Sequence, residues 1–233
     1  MPPRFLTHLR QQEWTAFAIE FALVVIGVLV GLQVSNWNET RVEAATERAN
    51  LLRLGEEFAS VEQELIRVSD RYGATLASTG LVIEALRAGT PPNDTAGFRQ
   101  ALREAQFVWD VPAQSATYAE LVATGSLSRL SDPQLRASLI RYGDYVSRYA
   151  RKLPVALAVV LDPESNFLRA VDWNTDPTAW QTSEGVVGYD WATLVGSEAE
   201  LQSWQAFQLD LRDYTQGQLG EVQLVLSLLR KQP

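Results

Sequence analysis

The chain has 233 residues, 46% of them hydrophobic and 21% charged, a length that suits one modest domain with an appendage and suffices to bury a core. It contains no cysteine, which excludes disulfides, thiol nucleophiles, thiolate zinc sites and cysteine-linked lipid. Its one histidine, His8, lies near the N-terminus, leaving the rest without an imidazole for a triad, metal site or pH switch, and the net charge of −8 argues against nucleic-acid binding.

From Trp14 to Val34 the chain reads WTAFAIEFALVVIGVLVGLQV, with Glu20 as its only charge. At ~1.5 Å per residue such a helix is roughly 31 Å long, the thickness of a bilayer's hydrocarbon layer. Trp14 and Trp37 bracket it where indoles sit at headgroup level. A buried soluble helix is rarely apolar on every face, as Phe21–Leu32 is. A cleaved signal peptide wants small residues just after the apolar run, where this chain has Gln33-Val34-Ser35-Asn36-Trp37-Asn38. The expectation is a signal-anchor over 14–37, with 1–13 as a short cytoplasmic tail. Arg4 and Arg10 precede the span and Arg41, Arg48 and Arg53 follow it, so basic charge alone is nearly balanced. A short tail before a large acidic domain nonetheless predicts a cytoplasmic N-terminus and a periplasmic C-terminal domain.

Within the span, Gly27 and Gly31 form a G-x-x-x-G pair, which lets another backbone approach one helix face closely. The pair reads as a docking face for a membrane partner or a second copy, or simply as the glycine common in membrane helices. Glu20 is shallow enough to reach the interface, or to bond a neighbouring chain's polar group.

Ile19-Glu20, then Leu23-Val24-Val25-Ile26-Gly27-Val28-Leu29-Val30, then Gln33-Val34-Ser35-Asn36-Trp37-Asn38-Glu39 resembles the anchor of a bacterial family of single-span proteins. That anchor has the pattern E-x-x-L-V-V-I-G-I-L-I-A-L-Q-x-N-N-W-N-E. Thr117-Tyr118-Ala119-Glu120-Leu121, Gly125-Ser126-Leu127 and Leu135-Arg136 resemble its looser T-Y-x-E-L…G-x-L…L-R pattern. Gly31 replaces the usual Ala and Ser35 the usual Asn, small for small in both cases. The resemblance implies an architecture and no activity. It also implies that Trp37 sits in the interface at the exit of the span, with Asn36 and Asn38 bonding at headgroup level.

Beyond the span, 38–233 reads as an all-α ectodomain, and the membrane helix is expected to continue straight into its first helix. Leu51, Leu54, Phe58, Val61, Leu65, Val68 and Tyr72 recur in steps of three and four, the period of a bundle seam. Leu76, Thr79, Ile83 and Leu86 carry the stripe to about Ala88, where Gly89-Thr90-Pro91-Pro92 ends it. A second helix begins near Thr95 with Phe98, Leu102 and Ala105, and a short one covers Ala116–Thr124 with Gly125 as its C-terminal cap. Ser131-Asp132-Pro133 starts another, with Leu135, Leu139, Tyr142, Val146, Tyr149 and Leu153 on one stripe and Pro154 as a kink point. Asp162-Pro163 starts a further short helix. Ser197-Glu198-Ala199-Glu200 reads as a capping box opening the last helix, whose face holds Leu201, Trp204, Phe207, Leu211, Tyr214, Val222, Val225 and Leu229. No strand pattern of any strength occurs. The expected fold is a bundle of two long antiparallel helices and several short ones.

Two features of this domain invite a partner. The stretch 172–196 loses all periodicity and carries Trp173, Trp180 and Trp191, while Asp162–Glu200 holds eight acids and one base. Long loops with aromatics are preferred contact surfaces, although the same tryptophans could fold back as a lid. Arg136, Arg141, Arg148, Arg151 and Lys152 share one helix with a single acid, Asp144. Arg141, Arg148, Tyr142 and Tyr149 therefore offer an anion-binding face, against the plainer reading of core tyrosines under solvated arginines. Asp172-x-Asn174-x-Asp176 opens like a calcium loop, but Pro177 and Ser183 stand where Gly and Glu are needed.

No phosphate loop, dinucleotide fingerprint, nucleophile elbow or E-x-x-H pair is present. The expectation is a non-enzymatic accessory subunit without cofactor or metal, docked on a larger integral-membrane complex. An energy-transducing host, respiratory or photosynthetic, fits such docking, and no residue selects it. The alternative is a membrane-tethered periplasmic ligand-binding or sensory bundle, disfavoured because 13 residues leave little to transmit a signal to.

Overall fold

The structure, a computed structural model, describes residues 5–92, 95–111, 114–182 and 184–231, with side chains from Glu20 onward except at 95 and 181. Helix α1 spans Phe5–Ala88, α2 Thr95–Ala105, α3 Ala116–Ala123, α4 Pro133–Val160, α5 Asn166–Ala170, α6 Trp191–Leu194 and α7 Glu198–Leu229. Strands β1, Val171–Trp173, and β2, Val186–Tyr189, form an antiparallel pair between α5 and α6. The chain divides into two units, Met1–Leu52 and Arg53–Pro233.

In Arg53–Pro233 the expected seam is buried, except that the expected Leu76 is only half-buried and its neighbour Thr75 lies in the core instead. Leu54, Phe58, Val61, Leu65, Val68, Tyr72, Thr75, Thr79, Val82 and Leu86 alternate steps of three and four down α1, all in the core. On α7 the same spacing runs through Leu201, Trp204, Gln208, Leu211, Thr215, Gln218, Val222 and Val225. The helices run antiparallel: Arg87 pairs with Glu198 at one end, Thr79 meets Gln208, and Gln216 reaches Ser69. Each fully buried Leu or Val on such a seam stabilises by about 1.5–3 kcal/mol, and the repeat keeps them all on one face, where they meet α2, α4 and α7 in turn.

Helix α4 is a third long helix where two were expected. Asp132 accepts from the backbone N–H groups of Gln134 and Leu135, and Pro133 occupies the first turn. The helix continues through Pro154 to Val160. It lies antiparallel to α7, with Ser138 bonded to Glu221 and Lys152 to Asp210. Glycines permit the close approach: a Cβ at Gly217 would collide with the Tyr145 ring, and one at Gly143 with the Tyr118 hydroxyl.

Three local expectations change. The α5 helix starts from Ser165 rather than Asp162-Pro163, which form the turn before it. The capping box at Ser197 does not form, because the Ser197 hydroxyl donates back to the Leu194 carbonyl. Glu200 instead accepts from the Ser165 hydroxyl at 2.7 Å and from the N–H groups of Asn166 and Phe167, capping α5. Finally, 172–196 is no bare loop: besides β1, β2 and α6 it holds a 3₁₀ turn over Pro177–Gln181.

Candidate functional site

The expected membrane face lies in the first unit. From Glu20 to Val34, α1 is helical and exposed at every residue, and it is long and apolar enough to cross a membrane. Leu23 and Val24 are each 64% exposed, on adjacent faces of the helix. At Gly27 and Gly31 an added Cβ would meet nothing within 4 Å. Asn36, Trp37 and Asn38 are exposed on the same continuing helix, so this motif does not end it; the Asn36 carbonyl accepts from the Thr40 hydroxyl. The Trp14 side chain lies outside the described residues.

In the second unit, the motif Thr117-Tyr118-x-Glu120-Leu121 fastens a corner onto α1. Glu57 accepts from the Ser115 and Thr117 hydroxyls at 2.6 and 2.7 Å and from the Thr117 N–H. Burial acts to raise its carboxyl; these bonds and the nearby Arg53 outweigh that and hold it below the usual range. Glu120 pairs with Arg53, while Tyr118 and Leu121 are buried, the former edge-on to Tyr142. Gly125 adopts φ +70°, the left-handed turn after α3 that favours glycine. The motif thus has a structural explanation: it ties α3 and the start of α4 to α1.

The four residues of the expected anion face do not form one. Tyr142 and Tyr149 are 2% and 1% exposed, turned into the core. Arg141 is held in a two-pronged pair with Glu221, at 2.6 and 3.0 Å, and Arg148 faces solvent. A helix that buries its tyrosines at 142 and 149 must turn its arginines at 141 and 148 away from them.

Tyr149 belongs to a polar seam that sequence reasoning missed. Its hydroxyl lies 2.8 Å from that of Tyr72 and donates to the Trp109 carbonyl. The Trp109 indole N–H donates to the Thr75 hydroxyl at 2.9 Å. The Thr79 hydroxyl is 2.9 Å from both Gln208 Oε1 and the Thr75 carbonyl, while Gln208 Nε2 donates to the Ala105 carbonyl at 2.6 Å. Burial pushes the Tyr72 phenol up to about 12 and raises that of Tyr149 as well, so both stay neutral and serve as hydrogen-bonding groups. The readable signal was the 3–4 spacing itself, which places Thr75, Thr79, Gln208, Thr215 and Gln218 on apolar seams.

The three loop tryptophans separate. Trp173 and Trp191 are half-buried against the core cluster, and Trp191 packs 6.1 Å from Phe98. Trp180 is 45% exposed, its indole N–H donating to the Asn174 carbonyl at 2.6 Å. The calcium-like positions serve as local turns: Asn174 accepts from the Asp176 N–H and Asp176 from the Thr178 N–H. Ser183 lies outside the described residues. No group of three or more His, Asp or Glu among the described residues is placed to hold a metal. A cleft of about 310 Å³ is lined by Asp162, Glu164, Ser165, Glu200 and Trp204. Its most enclosed carboxylate, Glu200, is fully engaged in capping α5.

No family model, curated protein or solved structure matches the chain.

Proposed function

We propose that the chain is a single-span, membrane-anchored accessory subunit, without enzymatic activity, that docks on a larger integral-membrane complex. One observation carries the reading: from Phe21 to Val34, α1 turns large apolar side chains outward on all sides, and all of them are exposed. Leaving such a surface in water costs about 25 cal/mol per Å², whereas lipid removes the cost and accepts a helix with its backbone bonds closed. The uncovered Gly27 and Gly31 then form the face where a neighbouring membrane helix packs, with Glu20 available to a polar group of that neighbour. In this reading the N-terminus is cytoplasmic and Arg53–Pro233 is periplasmic, at a bacterial inner membrane. The burial of Tyr142 and Tyr149 supports this reading over the alternative, a ligand-binding or sensory bundle, by taking both tyrosines out of the anion face it would use.

The test is affinity purification of the full chain from native membranes in mild detergent, with mass spectrometry of what accompanies it. A fixed set of membrane proteins that is lost with Gly31→Leu is the expected result. The same set retained by Gly31→Leu would sink the docking face, and a chain running alone would sink the subunit reading. Reporter fusions at the C-terminus test orientation separately, and a cytoplasmic reporter signal would reverse it.

A further inference from the structure

We infer that the outer face of α4 between Arg148 and Leu161 binds the acidic β1–β2 hairpin of a second copy of this chain. Arg148, Arg151, Pro154, Ala158 and Leu161 follow one another at helical steps of three and four, with Val155 beside Pro154, and all are exposed. Val155 is 50% and Leu161 62% exposed. Their neighbours on α4 are engaged, Arg141 with Glu221 and Lys152 with Asp210. Arg148 and Arg151 form no ion pair with any described residue. The strip is therefore basic at one end and apolar at the other, and exposed among the described residues.

The hairpin offers the complement. Between Val171 and Gly196 there are four acids and no base, and Asp172 and Glu184 are exposed. Beside them stand Trp180, 45% exposed, and Val187, 54% exposed on β2. An acidic surface with two large apolar side chains suits a basic strip that ends in Val155 and Leu161, because charge sets the register and apolar burial supplies the contact energy. A chain of net charge −8 repels its copies in general, so self-association is favoured only where its basic face meets its acidic one. Both halves lie on the same unit, so two copies can make the contact twice and close as a pair. The inference goes beyond the membrane reading and does not depend on it.

The absence of native cysteine makes the test clean. Two differently tagged full-length chains, one Leu161→Cys and the other Val187→Cys, are co-expressed, purified in mild detergent and mildly oxidised. A mixed disulfide pair is expected, since the bond forms only where Cα atoms come within about 7 Å. The band should be absent when Leu209→Cys, another exposed apolar site, replaces Leu161→Cys. Adding Arg148→Glu and Arg151→Glu to the Leu161→Cys chain should weaken it, since one of the two contacts of the pair is then repulsive. Adding Asp172→Arg and Glu184→Arg to the Val187→Cys chain should then restore it. A mixed band no stronger than the Leu209→Cys control, in chains whose circular dichroism shows intact helix, overturns the inference. So does a band indifferent to the charge reversals.

Discussion

Two stretches of one helix, Phe21–Val34 and Leu54–Leu86 of α1, meet opposite fates. The first is apolar on every face and wholly exposed; the second is apolar on one stripe, and that stripe is buried. A stripe identifies a protein partner, because only the side turned to that partner need be apolar. A helix apolar all round identifies a medium. The comparison thus separates the part of α1 that folds against its own chain from the exposed apolar part, for which we propose a lipid surrounding.

The largest effect should come from charging the uncovered stretch. Val25→Arg with Leu29→Arg adds about 2.5–3.5 kcal/mol per site to membrane insertion. The chain should move from the membrane to the soluble fraction while Arg53–Pro233 keeps its melting transition. Next, Leu65→Ala should cost about 2–5 kcal/mol by opening a cavity, whereas Leu29→Ala, at an exposed site, should change the melting by less than about 0.5 kcal/mol. Chemical denaturation of both variants checks the contrast, and equal losses would break it.

A smaller loss, about 1–3 kcal/mol, should follow Thr79→Val, which takes a buried donor from Gln208. Least of all is a shared acid limb. Burial acts to raise Glu57, Glu104, Glu200 and Glu221, but hydrogen bonds from their partners, aided by nearby arginines except at Glu200, outweigh it and hold all four carboxyls low. A carboxyl lowered on folding stabilises above its unfolded value, about 4.3, and that contribution is lost as pH falls through the folded value. Melting temperature should therefore fall below about pH 5, and Glu57→Gln with Glu200→Gln should flatten that fall.

Much of the fold was legible because it rests on repetition. Leu54 through Leu86, the end of α1 at Ala88 and the Asp132-Pro133 start of α4 follow from spacing and local capping chemistry. What escaped is settled by partners distant in sequence. Glu200 sits where a capping box puts it, yet it bonds Ser165 and the α5 backbone, because a neighbouring helix end offers more donors than its own. The β1–β2 pair is too short for alternation to register. Gln208 and Thr75 look like interruptions until the facing helix supplies Thr79 and Trp109. Of the candidate site, the exposed apolar stretch Phe21–Val34 was readable from composition alone. The division of the loop tryptophans, and of the tyrosines from the arginines on α4, needed the packing.

Hydrogen exchange on the full chain in lipid nanodiscs tests the central claim most directly. Phe21–Val34 is exposed among the described residues, so slowing of its amides beyond that of a solvated helix, along the whole stretch and not on one face alone, is the mark of the bilayer. The account predicts strong, continuous protection across 21–34 in nanodiscs, alongside the protection of Leu54–Leu86 by its own bundle. Fast exchange across 21–34, with the bundle still protected, would contradict it.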